Sequence, residues 1–194
     1  MSSTPTTKER IVIASAELFR RQGYTGTGVK QIVAAAQAPF GSLYHHFPGG
    51  KEQLGEQVIR IAGGMYGELV SAVFDPAPDV VTGTEQVFTL AAQHLAESDY
   101  ADACPIATIA LEIASSSEPM RIATAEVFEG WLEKLASRFT AAGIDPATAR
   151  TLALTTLSLL EGAFVLCRAA RTTEALLAAG TQAAAAVRAA LPEA

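Results

Sequence analysis

The chain has 194 residues, 49% of them hydrophobic but only 7% aromatic, which provides for a sizeable aliphatic core and one or two small domains. Two cysteines, Cys104 and Cys167, are too few for a disulfide framework, and metal-type CxxC or HxxxH spacings are missing. The net charge of −6 by itself argues against nucleic acid, yet residues 1–60 carry seven basic and four acidic side chains (+3) while the remainder carries seven and sixteen (−9), as suits a protein whose head alone touches phosphate.

Residues 1–6 are polar with one proline and read as a disordered arm; without an apolar core they are no secretory signal, so a cytoplasmic protein is expected. Thr7 caps a first helix over residues 8–22, with Ile11, Val12, Ser15, Leu18 and Phe19 as a one-sided stripe and Gly23 as its stop. Thr27 is the expected N-cap of a second helix over 28–36, with Ile32, Val33 and Ala36 inward. Residues 37–39 form a turn, and Pro39 sits at the entry of a third helix over 40–46. That helix is too short to stand alone. Leu43 and Phe47 must anchor it, which leaves Phe40, Gly41, Ser42, Tyr44 and His45 toward solvent. Exposed rings and hydroxyls on so short a helix have no stabilising purpose. They suit a nucleic-acid face, with polar groups on phosphate and aromatic or methyl-sized surfaces on thymine methyls. His45 and His46 project about 100° apart on a helix and cannot chelate one metal well.

A long fourth helix over 51–74 opens with Lys51, where a lysine and free backbone N–H groups together bind phosphate. Its adjacent Gly63-Gly64 pair reads either as close packing or as a hinge between head and body. Residues 75–83 are a linker, followed by helices from 84 to 97, from Pro105, up to about 142, from Pro146 and from 173 to 191. The eighth, capped by Asp145, is apolar nearly all round. A membrane span is rejected because residues 150–168 are only about long enough and contain Glu161 with several Thr and Ser. A helix buried on two sides fits better, and with the alanine-rich ninth it is the expected homodimer interface, over about 146–191.

The pattern Ala14…Glu17-Leu18-Phe19…Gly23-Tyr24, then Thr27…Ile32…Gly41-Ser42-Leu43-Tyr44-His45-His46-Phe47-Pro48-Gly49-Gly50-Lys51-Glu52-Gln53-Leu54, resembles the TetR family of bacterial transcriptional regulators. PGGKEQL and the later Cys104-Pro105-Ile106 resemble its LmrA/YxaF-like branch in particular. Two departures stand out: Gln37 replaces a common turn glycine, and Phe40 replaces a frequent lysine or other polar residue.

The expected fold is therefore all-α, with about nine helices. A three-helix helix-turn-helix head (1–50) binds DNA, and a helical-bundle domain (51–194) binds ligand and dimerises. Thr27, Lys30, Tyr44, His46 and Lys51 are expected on phosphate; Pro39, Phe40, Ser42 and His45 at base edges; Gly41 allows close approach. The resemblance implies a repressor released from a near-palindromic operator by a small effector. Met65, Phe88, His94, Met120, Phe128, Trp131 and Phe164 are candidate lining, and their few charges favour an apolar compound. The alternative is a ligand-binding dimer that no longer binds DNA, motivated by Gln37 and Phe40. An enzyme is not expected: His94, Cys104 and Glu112 have no supporting pattern, phosphate loops and nucleophile elbows are missing, and no cofactor or metal is implied.

Overall fold

The structure, a computed structural model, describes residues 5–102 and 104–192; most of the expected N-terminal arm, residues 1–4, lies outside the described residues. Among the described residues the chain forms nine α-helices and no strands: α1 (Thr7–Gln22), α2 (Val29–Ala35), α3 (Gly41–His46), α4 (Gly50–Phe74), α5 (Val80–Glu97), α6 (Pro105–Ile113), α7 (Glu118–Ala141), α8 (Pro146–Ala170) and α9 (Glu174–Ala190). Side-chain caps decide where several of them start. Thr6, one residue before the expected cap, forms a reciprocal capping box with Glu9 at the start of α1. Asp79 accepts from the Thr82 N–H at 2.7 Å, so α5 begins at Val80 rather than at 84. Asp145 accepts from the N–H groups of Ala147 and Thr148, with Pro146 in the first turn of α8, as expected.

The helices sort into two compact units. The first comprises Met1–Gly64 and Cys104–Val127, so α1, α2, α3 and the first part of α4 are packed with α6 and the start of α7. Its core is built from Ile11, Phe19, Ile32, Leu43, Phe47 and Leu54, all fully buried. Burying each such side chain is worth about 1.5–3 kcal/mol, and Leu43 and Phe47 are what hold six-residue α3 in helical form. Polar contacts reach across this unit, among them an Arg60–Glu126 ion pair and two hydrogen bonds. The Glu112 carboxylate of α6 accepts from the Thr25 N–H at 2.6 Å, and Ser117 donates to Glu52 at 2.6 Å. The first needs a glycine at position 23: its φ is positive (78°), and a side-chain carbon there would lie 2.1 Å from a Glu112 oxygen.

The second unit comprises Met65–Ala103 and Phe128–Ala194. One core cluster gathers Phe74, Leu132, Phe139, Leu152 and Val187; another gathers Phe88, Leu95, Ala163, Cys167 and Leu176. α9 packs against α5 and α8, and at Gly180 the approach is so close that a side-chain carbon would stand 2.7 Å from Phe88. Among the described residues α8 alone is long and apolar enough to cross a membrane. Its inner side buries Ala149, Leu152, Ala153, Thr156, Ala163 and Cys167, whereas Val165 and Leu166 remain 61% and 63% exposed.

The boundary between the units on α4 falls between Gly64 and Met65, yet the helix runs through it without a break. The two glycines differ. A carbon on Gly63 would lie 2.4 Å from Val127, so this position serves close packing, while nothing stands within 4 Å of the same position on Gly64.

Candidate nucleic-acid interface

The turn between α2 and α3 has the geometry of a glycine-terminated helix without the glycine. The Ala38 N–H bonds to the Val33 carbonyl at 2.9 Å and the Gln37 N–H to that of Ala34 at 3.1 Å. These are the paired bonds of a Schellman ending, and Gln37 occupies its left-handed position with φ 49°. Arg10 donates from Nε to the Ala36 carbonyl at 3.0 Å, satisfying another of the helix's last acceptors. The departure at Gln37 therefore leaves the turn conformation intact, at a cost of about 1–2 kcal/mol for a side chain in the left-handed region.

Anchored by Leu43 and Phe47, α3 turns its other side outward. Phe40 and Tyr44 are 52% and 49% exposed; Pro39, Gly41 and His45 are exposed, and Ser42 and His46 are half-buried. The Phe40 and Tyr44 rings lie 6.1 Å apart, tilted by 57°, and those of His45 and His46 lie 4.9 Å apart. Lys30 is exposed on α2. No acidic side chain occurs between Val29 and Lys51.

Two expected contacts take a different form. Thr27 is neither the cap of α2 nor at the surface. Gly28 precedes the helix, with its N–H bonded to Gln31 Oε1 at 2.7 Å. The Thr27 side chain is 1% exposed; it donates to the Gly23 carbonyl at 2.7 Å and accepts from Gln22 at 3.2 Å. A carbonyl four residues back has captured the hydroxyl, which is thus committed to holding the turn after α1. Lys51 is half-buried, its ammonium 4.1 Å from the centre of the Tyr24 ring. Burial holds this lysine below the usual range while the Glu112 carboxylate opposes the shift. Lys8, on α1, is one of the seven basic side chains of residues 1–60. Its ammonium stands 5.7 Å from the Phe47 ring, beside the end of α3. A separation of 39 positions leaves no local pattern that could have revealed it.

The candidate ligand residues are divided between the two compact units. Met120 belongs to the first unit, fully buried where Gly55 gives it room. Phe88 is fully buried against α9, with Phe164 packed on the same cluster. Phe128 and Trp131 meet edge to face at 5.6 Å. Met65 is exposed, and the exposed His94 lies 3.8 Å from Asp102. No group of three or more metal-type ligands occurs among the described residues.

Comparison with known proteins matches both parts of the chain. Residues 11–58 match the family model for bacterial regulatory proteins of the tetR family. Residues 80–182 match the C-terminal domain of LmrA/YxaF-like transcriptional regulators. An HTH-type transcriptional regulator of Mycobacterium tuberculosis is 34% identical over 169 residues, covering 84% of this chain and 85% of that one. The HTH-type regulator YxaF of Bacillus subtilis is 31% identical, covering 86% and 87%. A crystal structure of a TetR transcriptional regulator from Legionella pneumophila superposes with a TM-score of 0.83 at 22% identity, covering 98% of this chain and all of that one.

Proposed function

Because the chain belongs to the TetR family of bacterial transcriptional regulators, in its LmrA/YxaF-like branch, we propose that it is a cytoplasmic homodimeric repressor, released from a near-palindromic operator by a small apolar effector. The helix-turn-helix makes it a DNA-binding regulator and not an enzyme. The observation that carries the reading is the outward face of α3, propped from behind by two buried side chains and free of acidic groups. Lys30, Tyr44, His46 and, from α1, Lys8 supply phosphate contacts, with Lys51 joining them by swinging off the Tyr24 ring on which it rests in the free chain; Pro39, Phe40, Ser42 and His45 face base edges. Thr27 contributes by fixing the backbone. The undisturbed turn at Gln37 removes one motive for a chain that has lost DNA.

Pairing is proposed through α8 and α9, within residues 146–191. What supports it is the helical stripe of Thr151, Leu154, Ser158, Gly162, Val165 and Leu166 on α8, exposed in the single chain, beside exposed Leu177, Thr181 and Ala185 on α9. A stripe of small and aliphatic residues of that length suits close cover, and a two-fold axis covers it with its own copy. The division into a DNA-binding head (1–50) and a ligand-binding, dimerising remainder (51–194) belongs to the same proposal. An effector acts by binding one arrangement of the paired heads more tightly than the other.

Mobility shifts with DNA from upstream of its own gene, at two salt concentrations, test the core of this. Specific binding should fall steeply with salt, about a thousand-fold or more from 50 to 200 mM for several phosphate contacts on each of two heads. Salt-insensitive or sequence-indifferent binding would refute it.

A further inference from the structure

The outward face of α3 lacks the side chains with which proteins most often read bases. Residues 38–47 contain no Arg, Lys, Asn or Gln, the long donors that pair bidentately with guanine or adenine in the major groove. What the helix offers instead is a shelf of two rings. Phe40 has helical backbone angles (φ −54°, ψ −41°), which places it one turn from Tyr44 on the same side. Half of each ring is exposed, and neither packs into the core. From behind, Gly50 backs the Tyr44 ring, since a side-chain carbon there would stand 3.4 Å from its Cε1.

Gly41, next to Phe40, adds an independent observation. Its φ lies outside the left-handed range, and nothing stands within 4 Å of where a side-chain carbon would be. Neither backbone nor packing therefore requires glycine in the free protein, although glycine in a helix costs about 0.5–1 kcal/mol against alanine. The empty space makes sense when another surface fills it. Together the shelf and the notch form an apolar step beside a gap, on the face that meets DNA.

We infer that the Phe40–Tyr44 pair reads sequence by packing on the C5-methyl groups of thymine, and that Phe40 is the residue that sets this preference. This rests on the reading that α3 enters the major groove of an operator. The thymine methyl is the one apolar group in the major-groove code, so a shelf without long donors distinguishes thymine from the other bases through that methyl. Tyr44 in addition keeps a hydroxyl with no partner among the described residues, available to a neighbouring phosphate.

The test uses the full-length protein and a site selected from a random DNA pool. Each thymine of the site is replaced in turn by deoxyuridine, which removes only the methyl. Wild-type protein should bind roughly four-fold more weakly for each contacted methyl lost, the equivalent of one buried methyl-sized group. Phe40→Ala should bind thymine and uracil sites equally, with unchanged helix content and melting temperature because the ring is half-exposed. Wild-type binding that is specific yet indifferent to every methyl, or a Phe40→Ala protein that keeps the discrimination, overturns the inference and leaves the regulator reading standing. Failure to select any site overturns both.

Discussion

α3 and α8 both turn apolar side chains outward, in opposite styles. On α3 the outward groups are two tilted rings beside a bare glycine, with hydroxyl and imidazole groups around them. On α8 they are aliphatic or small over a helix of 25 residues, and the hydroxyls among them can turn back on the helix itself, as Thr151 does to the Ala147 carbonyl at 3.0 Å. Rings with free polar neighbours suit a partner that is grooved, wet and charged. A largely aliphatic stripe whose Thr151 hydroxyl is already bonded back to its own helix suits another stripe. Apolar exposure alone does not identify the partner; the hydrogen-bonding groups left free beside it do.

The largest effect expected from breaking this contrast is on α8. With α8 and α9 paired as proposed, Leu166→Glu would set a carboxylate into the apolar interface, at several kcal/mol. Dimer affinity should fall by more than about 100-fold in sedimentation, with helix content retained; an unchanged dimer would move the interface elsewhere. Next come two of the open glycines, Gly162 on α8 and Gly41 at the start of α3, neither with a neighbour within 4 Å of an added carbon. Gly162→Ala should weaken association by about 1–3 kcal/mol through overpacking. Gly41→Ala should raise the thermal stability of the free protein by about 0.5–1 kcal/mol while weakening operator binding. If Gly41→Ala bound the operator as tightly as wild type, DNA would not approach at that notch.

Gln37→Gly sharpens the α3 side with a smaller effect. Relief of left-handed strain should stabilise the protein by several tenths of a kcal/mol, net of the entropy glycine adds to the unfolded chain, in denaturant melts. Smallest is a pH effect in the second unit. The backbone N–H of Thr82 holds the Asp79 carboxyl below its ordinary range. A depressed carboxylate contributes stability that is complete above its unfolded value and lost as pH falls through the folded one. Asp79→Asn should therefore flatten the acid limb of the melting curve slightly; an identical acid limb would show that this cap is not coupled to unfolding.

Much of the fold was legible because its punctuation is local. Gly23, Pro39, the Asp145-Pro146 pair and the apolar periods around them mark helix ends without reference to anything distant. The TetR-family resemblance was carried by the run around α3, and the outward placement of Tyr44 and His45 followed from the need to bury Leu43 and Phe47. What escaped depended on partners far along the chain or on competition between near-equal local bonds. Thr27 could cap α2 or bond back to Gly23, and the buried packing of the turn selects the second. Lys51 could reach outward or lie over Tyr24, 27 positions earlier, and it does the latter. The start of α5 moved because the Asp79 side chain makes a cap within what looked like linker. Apolar residues on α4 to α8 could not be sorted into core and pocket from type alone, since Phe88 and Met65 look equally suited to either and the fold buries one and exposes the other.

The contact between Glu112 and the Thr25 N–H, with its companion between Ser117 and Glu52, bears on protein engineering. Anyone transplanting this reading head onto a foreign sensor would naturally cut once, after α3 or within α4. Such a cut discards the carboxylate that pins the turn between α1 and α2, along with the hydroxyl that steadies the first turn of α4. The compact unit that holds both contacts is discontinuous, the first 64 residues together with residues 104–127, so a chimera that is to keep them must import both pieces.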